Sequence, residues 1–284
     1  MDEFFRTLAT EQFLQHALAA GILASIGCGV MGSYVVVKRI GYLAGGIAHA
    51  VLGGMGIAYF LGHDPILGAL LAALAAAIIV GWVSRHGTEH VDTLIGALWA
   101  VGMAIGILFI SQTPGYNVDL LSYLFGNILM VAPKGLLFIA ILDLIIVVLV
   151  LLLYRQFLAV AFDEEFALLR GVSVEFVDLV LLSLVALTVV TLIRVVGLIL
   201  VIALLTLPAA IAGQYVRSLG RMMLLAIVLG MGFTVAGLAL SFRPDLPAGA
   251  SIIVVAGVAY LVSTGVQAVL RWRKMRGMRG RHAA

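Results

Sequence analysis

Apolar runs about twenty residues long recur along this chain from Phe13 to Leu270, separated only by short polar or charged stretches. A helix that crosses the hydrocarbon core of a bilayer needs about 20 mainly apolar residues. Of the 284 residues, 63% are hydrophobic and 11% charged, against about 25% charged in an average soluble domain. With a mean hydropathy of +1.20, the chain reads as an all-α, polytopic membrane protein. A cleaved signal peptide explains one such run, never a series. Asp2, Glu3 and Glu11 also precede the first run, where a signal peptide carries a basic segment. Cys28 is the only cysteine and lies inside an apolar run, which excludes intrachain disulfides and cysteine-rich metal sites.

Charged residues and turn formers bound nine candidate spans. These are Phe13–Val37, Ile40–Leu61, Ile66–Ser84, Thr93–Thr113, Gly135–Tyr154, Phe176–Ile193, Val195–Val216, Met222–Phe242 and Ala250–Leu270. Arg194 alone separates the sixth from the seventh, so eight or nine helices are expected. Pro208 predicts a kinked or broken seventh helix whose freed carbonyl is satisfied within the bundle. Lys and Arg concentrate in cytoplasmic loops. With nine spans, thirteen fall on one side: Lys38, Arg39, Arg85, Arg155, Arg170, Arg217, Arg221 and six in the tail from Arg271 to Arg281. Four (Arg6, Lys134, Arg194 and Arg243) fall on the other. The C-terminus is therefore expected in the cytoplasm and the N-terminus outside. The basic tail, residues 271–284, suits orientation and contact with anionic membrane lipids, not nucleic acid. The loop Gln112–Lys134 is long and partly apolar, which predicts an interfacial or re-entrant helix on the outer side containing Asp119 and Asn127.

Four places carry candidate chemistry. His49 lies mid-span among Gly45, Gly46, Gly53, Gly54 and Gly56, where small residues let helix backbones approach closely. An ionisable group at membrane depth is costly and usually faces a cavity or the bundle interior. Imidazole is also a common ligand for zinc, manganese and iron. The plainer reading has His49 donating to a carbonyl of a neighbouring helix. His63 and Asp64 stand at the outer end of the same span, either drawing a cation to an entrance or forming an Asp-Pro turn. His86, Glu89 and His90 match the H-x-x-E-H pattern of inverted zinc peptidases. That chemistry needs a stable helix and a third ligand, whereas this stretch contains Gly87 in a short turn. Asp143 is the only carboxylate well inside a span. It is a proton or cation site, a partner of Arg194, or a hydrogen-bonding group between helices.

The one long break in the hydrophobic pattern runs from Arg155 to Asp178 and reads RQFLAVAFDEEFALLRGVSVEFVD. A short helix from Asp163 to Arg170 fits it, with acids at the favourable N-terminal end and Gly171 ending it. A helix-sized polar segment kept in water suits presentation to a partner. No phosphate-binding G-x-x-x-x-G-K-[ST] loop, H-E-x-x-H or G-x-S-x-G is present. Any ATP-driven work must therefore come from a separate chain.

Glu165-Phe166-Ala167 followed by Gly171 resembles the Glu-Ala-Ala-x-x-x-Gly signature of ABC-importer membrane subunits, with Phe in place of the first Ala. Several further stretches, taken in order, resemble the membrane permease of the zinc/manganese-type ABC importers. They are VVVKRIGYLAGGIAHAVLGG, EHVDTLIGALWAVGMAIGIL, DLLSYLFGNIL, VVGLILVIALLTLPAAIA and LPAGASIIVVAG, covering the chain from about Gly32 to Gly257. The resemblance implies one permease domain over residues 1–284, multi-pass in the bacterial plasma (inner) membrane. It further implies a homodimeric pore, two cytoplasmic ATPases and an extracytoplasmic metal-binding protein. No cofactor would be bound by the chain itself, and the cargo would be a divalent metal, zinc first, then manganese or iron. Asp163, Glu164, Glu165, Phe166, Ala167, Arg170 and Gly171 would form the ATPase-coupling helix. His49 matches the histidine that in this family usually follows an Asp by four residues, but that acidic position is Gly45 here. Phe125–Asn127 reads FGN in place of the more usual FGD.

Two other classes compete on sequence alone. An ATP-independent secondary transporter or channel would couple metal to protons through Asp143 or His49. An intramembrane metalloenzyme would use His86, Glu89 and His90.

Overall fold

The structure is a computed structural model that describes residues 2–85, 91–113, 126, 128–197, 201–242 and 246–281. Among the described residues there are twelve α-helices, one 3-10 turn and no strand. In order they are α1 (Asp2–Thr10), α2 (Gln12–Val37), α3 (Gly41–Phe60), α4 (Pro65–Arg85), α5 (Val91–Ser111), the 3-10 turn Ile128–Met130, α6 (Pro133–Leu152) and α7 (Tyr154–Phe162). There follow α8 (Glu164–Leu169), α9 (Val174–Val196), α10 (Val201–Tyr215), α11 (Leu219–Phe242) and α12 (Ala248–Arg281). Eight of them (α2 to α6, α9, α11 and α12) are long and apolar enough to cross a membrane.

The ninth expected span is shortened. The helix α9 runs through Arg194 and stops at Gly197, whose φ of 76° lies in the left-handed region. Glycine adopts that conformation without the penalty a Cβ imposes, and it ends a helix whatever the local hydropathy. The expected Val195–Val216 thus becomes α10, a helix of 15 residues that is assigned without interruption across Pro208. Its rise of about 22 Å falls short of the roughly 30 Å hydrocarbon core. One unexpected element is α1, which sets Phe4 edge-on against Phe242 at 5.8 Å. Residues 86–90, Asp119, Phe125 and Asn127, and the side chain of Arg194, lie outside the described residues. What is described of the Gln112–Lys134 loop includes a positive-φ Gly126 and the 3-10 turn with Ile128 buried.

The helix α2 is the hub, packing on α11, α10, α6 and α9, while α3, α4 and α5 form a second group joined to it through α9. Close approach depends on missing side chains. A Cβ on Gly53 would stand 2.9 Å from the Gly102 carbonyl oxygen, and one on Gly56 would stand 2.6 Å from that of Gly106. The α3–α5 backbones therefore touch along a glycine seam, the arrangement by which helices associate where no hydrophobic driving force acts. Hydroxyls in this apolar interior bond back one turn: Ser25 to the Gly21 carbonyl at 2.7 Å, Ser33 to Gly29 at 2.7 Å and Thr234 to Gly230 at 3.0 Å. Apolar side chains such as Leu108, Leu144 and Leu261 face outward, as lipid contact demands.

The charged ends of the helices meet on one side. Lys38, Arg39, Arg85, Asp92, Glu164 and Asp178 line a single cavity of about 420 Å³. The ends of α2 and α4 and the starts of α5, α8 and α9 therefore share one end of the bundle, as the alternating spans require.

Candidate functional site

At the centre of α3, the His49 ring is buried, and its Nδ1 lies 2.8 Å from the Gly45 carbonyl oxygen one turn earlier. A carbonyl only accepts, so Nδ1 donates, and in the neutral ring Nε2 keeps the lone pair that binds a metal. The expected backbone bond exists, but to His49's own helix. Trp99 of α5 stacks on the imidazole with ring centroids 3.9 Å apart and an 18° tilt, and Tyr42 lies 6.2 Å from Trp99 towards the charged end. A Cβ built on Gly45 would stand 2.9 Å from Ile202 Cδ1 of α10 and 3.6 Å from Trp99 Cζ3. Bulk from α5 and α10 thus fills the space where the family's carboxylate would point. Among the described residues, no group of three or more His, Cys, Asp or Glu could together hold a metal ion.

His63 and Asp64 do not join His49. Fourteen residues on, His63 lies about 20 Å along the helix axis and is exposed beside Leu67 and Leu71. The Asp64 carboxylate is exposed too, and its Oδ1 accepts from the Ile66 N–H at 2.9 Å, closing the turn into α4. Asp143 is buried on α6 against Gly27 of α2, away from both.

The polar break folds as two helices. Phe157 and Val160 are the buried face of α7, and Phe157 meets Tyr34 edge-on at 5.6 Å. Asp163 caps α8, its Oδ1 accepting from the Phe166 N–H at 2.9 Å. At the other end the Val172 N–H donates to the Ala167 carbonyl at 3.0 Å and the Gly171 N–H to Leu168 at 2.9 Å, with Gly171 at φ 75°. This pair of bonds is a Schellman cap, which requires the left-handed residue that Gly171 supplies. Ala167 is fully buried where α8 lies on the bundle, so the small residue in the signature has a packing role. Glu165, Phe166, Leu168, Leu169 and Arg170 are exposed, and the Arg170 guanidinium sits 5.0 Å above the Phe166 ring.

Glu164 points the other way. Its carboxylate lies 3.4 Å from Lys38 Nζ and 3.9 Å from Arg85 Nη2, and both cations also pair with Asp178 of α9, Lys38 at 2.5 Å and Arg85 in closer contact. The helix α8 is thereby tied to the ends of α2 and α4 and, through the shared cations, to the start of α9. Sequence reasoning named Glu164 but missed Lys38 and Arg85 as its partners and Asp178 as the acid that shares them, and missed Trp99 against His49 and Ile202 against Gly45. Asp178 inside the expected span Phe176–Ile193 was the available signal, because a carboxylate there needs a cation. Nothing in the sequence paired Trp99 with His49.

Fold and site together define a helical, polytopic membrane protein that displays a doubly capped helix between its spans. The chain belongs to the ABC 3 transport family, whose model matches residues 10–267. It is 48% identical over 252 residues to an uncharacterized membrane protein of Synechocystis sp., covering 89% of this chain and 90% of that one. It is 34% identical over 260 residues to the manganese transport system membrane protein MntC of Halalkalibacterium halodurans, covering 92% and 89%. Among solved structures it resembles PsaBC from Streptococcus pneumoniae in complex with Fab, with a TM-score of 0.84 and 33% identity over 92% of this chain and 94% of that one. The resemblance to metal-importer permeases carried by the sequence motifs therefore holds, and the chain is a metal-type ABC transporter permease.

Proposed function

We propose that this permease imports a divalent metal, manganese first and zinc or iron behind it, driven by ATPase subunits that dock on α8. The relatives named for manganese support placing that ion ahead of zinc, which sequence alone ranked first. The observation that carries the reading is the division of labour within α8. Its outer face (Glu165, Phe166, Leu168, Leu169 and Arg170) is free for a partner, while Glu164 on its inner face pairs with the ends of two spans, α2 and α4.

A push on the outer face is transmitted through Glu164 and Asp178 to the ends of α2 and α4, and α3 starts three residues beyond Lys38. His49 sits two turns further along α3, covered by the Trp99 ring, with Ile202 packed over Gly45 one turn before it. A single imidazole holds a cation briefly and releases it quickly, which suits a conducting path better than a storage site. In this reading the whole chain, residues 1–284, is one permease domain of the bacterial inner membrane that pairs with a second copy. Its charged end and C-terminus face the cytoplasm, and an extracytoplasmic binding protein delivers metal at the end bearing His63.

The test is uptake in a strain lacking its own metal importers, with manganese, zinc and iron supplied separately, together with co-purification of an ATPase. Uptake that needs no ATPase, and that survives Leu169→Asp on the outer face of α8, would establish an ATP-independent transporter instead.

A further inference from the structure

The seam between α2, α6 and α9 holds a buried carboxylate, Asp143. Asp143 lies mid-way along α6, about 15 Å from its first residue, and is only 4% exposed. Neither of its carboxyl oxygens has a hydrogen-bond partner among the described residues. Room for it comes from Gly27, where an added Cβ would fall 2.6 Å from Asp143 Oδ1. The Thr188 methyl closes the same pocket, 3.7 Å from that Cβ position, while the Thr188 hydroxyl is turned away to the Leu184 carbonyl at 2.8 Å.

The helices packed against α6 are α2, α9 and α7. From α2 the facing groups are Gly27 and the buried Cys28, and from α9 Thr188. Charges on these helices are remote or engaged. Lys38 and Asp178 are paired with each other at the charged end, about 15 Å along their helices from this level. Glu175 precedes Asp178 on α9, and Tyr154 and Arg155 begin α7 at that same end, eleven residues beyond Asp143. The Arg194 side chain is outside the described residues.

Three ligands suit a carboxylate: a basic side chain, a metal ion and a proton. The described neighbours supply no base. A resident metal ion needs several donors at once, and Gly27, the Thr188 methyl and one thiol do not make a coordination shell. An unpaired ionised carboxylate in such surroundings is strongly disfavoured. A proton needs no shell and removes the charge. We propose that Asp143 is a proton-binding site at mid-membrane depth, filled in this conformation and separate from the His49 path. While the proton is bound, α2, α6 and α9 close over a neutral acid. Once it leaves, the seam must open to water or a cation, so proton occupancy and closure of the seam are linked.

The experiment is infrared spectroscopy of the purified full-length chain in an ester-free detergent at neutral pH. The wild-type chain should show the carbonyl band of a protonated carboxylic acid, which Asp143→Asn abolishes and alkali converts into carboxylate bands. Absence of that band in the wild-type chain overturns the proposal, and this outcome needs no variant to fold. Loss of the band on adding manganese or zinc at fixed pH also overturns it, making Asp143 a cation site. Both results are independent of whether an ATPase drives transport.

Discussion

Lys38 Nζ lies 2.5 Å from Asp178 Oδ1 and 3.4 Å from Glu164 Oε1, joining the end of α2 to α9 and to α8 across 140 and 126 residues of sequence. The two acids differ in exposure, and so should the consequences of removing them. The Asp178 side chain is 19% exposed and that of Glu164 50%. Asp178→Asn leaves Lys38 and Arg85 sharing one half-exposed carboxylate and should cost about 2 kcal/mol, less than the 3–5 of a fully buried pair. Glu164→Gln should change stability by no more than about 0.5 kcal/mol, as exposed pairs do. If Glu164 transmits the stroke, that same variant hydrolyses ATP in the assembled transporter and moves little metal. Thermal unfolding in detergent and uptake per ATP separate the two effects.

Gly171 tests the Schellman cap of α8. An alanine at φ 75° should cost about 1–2 kcal/mol through its Cβ, whereas Gly171→Asn should cost less because Asn tolerates the left-handed region. Metal uptake should follow the same order: glycine, then asparagine, then alanine. An alanine variant with full uptake would show that the cap does not set the coupling geometry.

His49→Ala should cut metal uptake by about tenfold or more, equivalent to roughly 1.4 kcal/mol of lost stabilisation along the path. It also removes the stack on Trp99, which contributes about 0.5–1.5 kcal/mol beyond burial. Trp99→Leu removes that stack and leaves the imidazole in place. Comparing uptake with unfolding temperature for both variants distinguishes a ligand from a packing residue. If Trp99→Leu impairs uptake as strongly as His49→Ala, the histidine serves as a packing residue.

Gly45→Asp would reinstate the carboxylate one turn before His49. With Ile202 Cδ1 only 2.9 Å from the new Cβ, the single change should destabilise by about 1–3 kcal/mol, in line with overpacked cores. Adding Ile202→Ala should relieve the clash. The double variant is expected to bind manganese about tenfold more tightly in equilibrium dialysis and to transport it more slowly. Faster transport with unchanged binding would show that a second ligand is no brake.

Hydropathy made most of the architecture legible, because lipid enforces apolar runs of fixed length. It failed at Arg194 and Gly197. A side-chain scale registers a charge but not a left-handed backbone, so the stop was placed three residues early and α10 was drawn too long. The register of α8 was readable because Asp163, Ala167 and Gly171 act through local caps and close packing. His49 was visible as an imidazole at membrane depth. The Trp99 ring stacked on it, the Ile202 side chain over Gly45 and the cations that hold Glu164 come from helices far away in sequence, and no local pattern encodes such meetings.

The last helix outruns the membrane. Gln214 Nε2 bonds Thr264 Oγ1 at 3.2 Å and Tyr215 Oη lies 3.0 Å from Ser263 Oγ, where α10 ends. From Thr264, α12 continues to Arg281, about 25 Å of unbroken rod studded with Arg271, Arg273 and Lys274. It stands on the same side as α8. Any body seated against α8 must be notched to clear it or tall enough to reach past it.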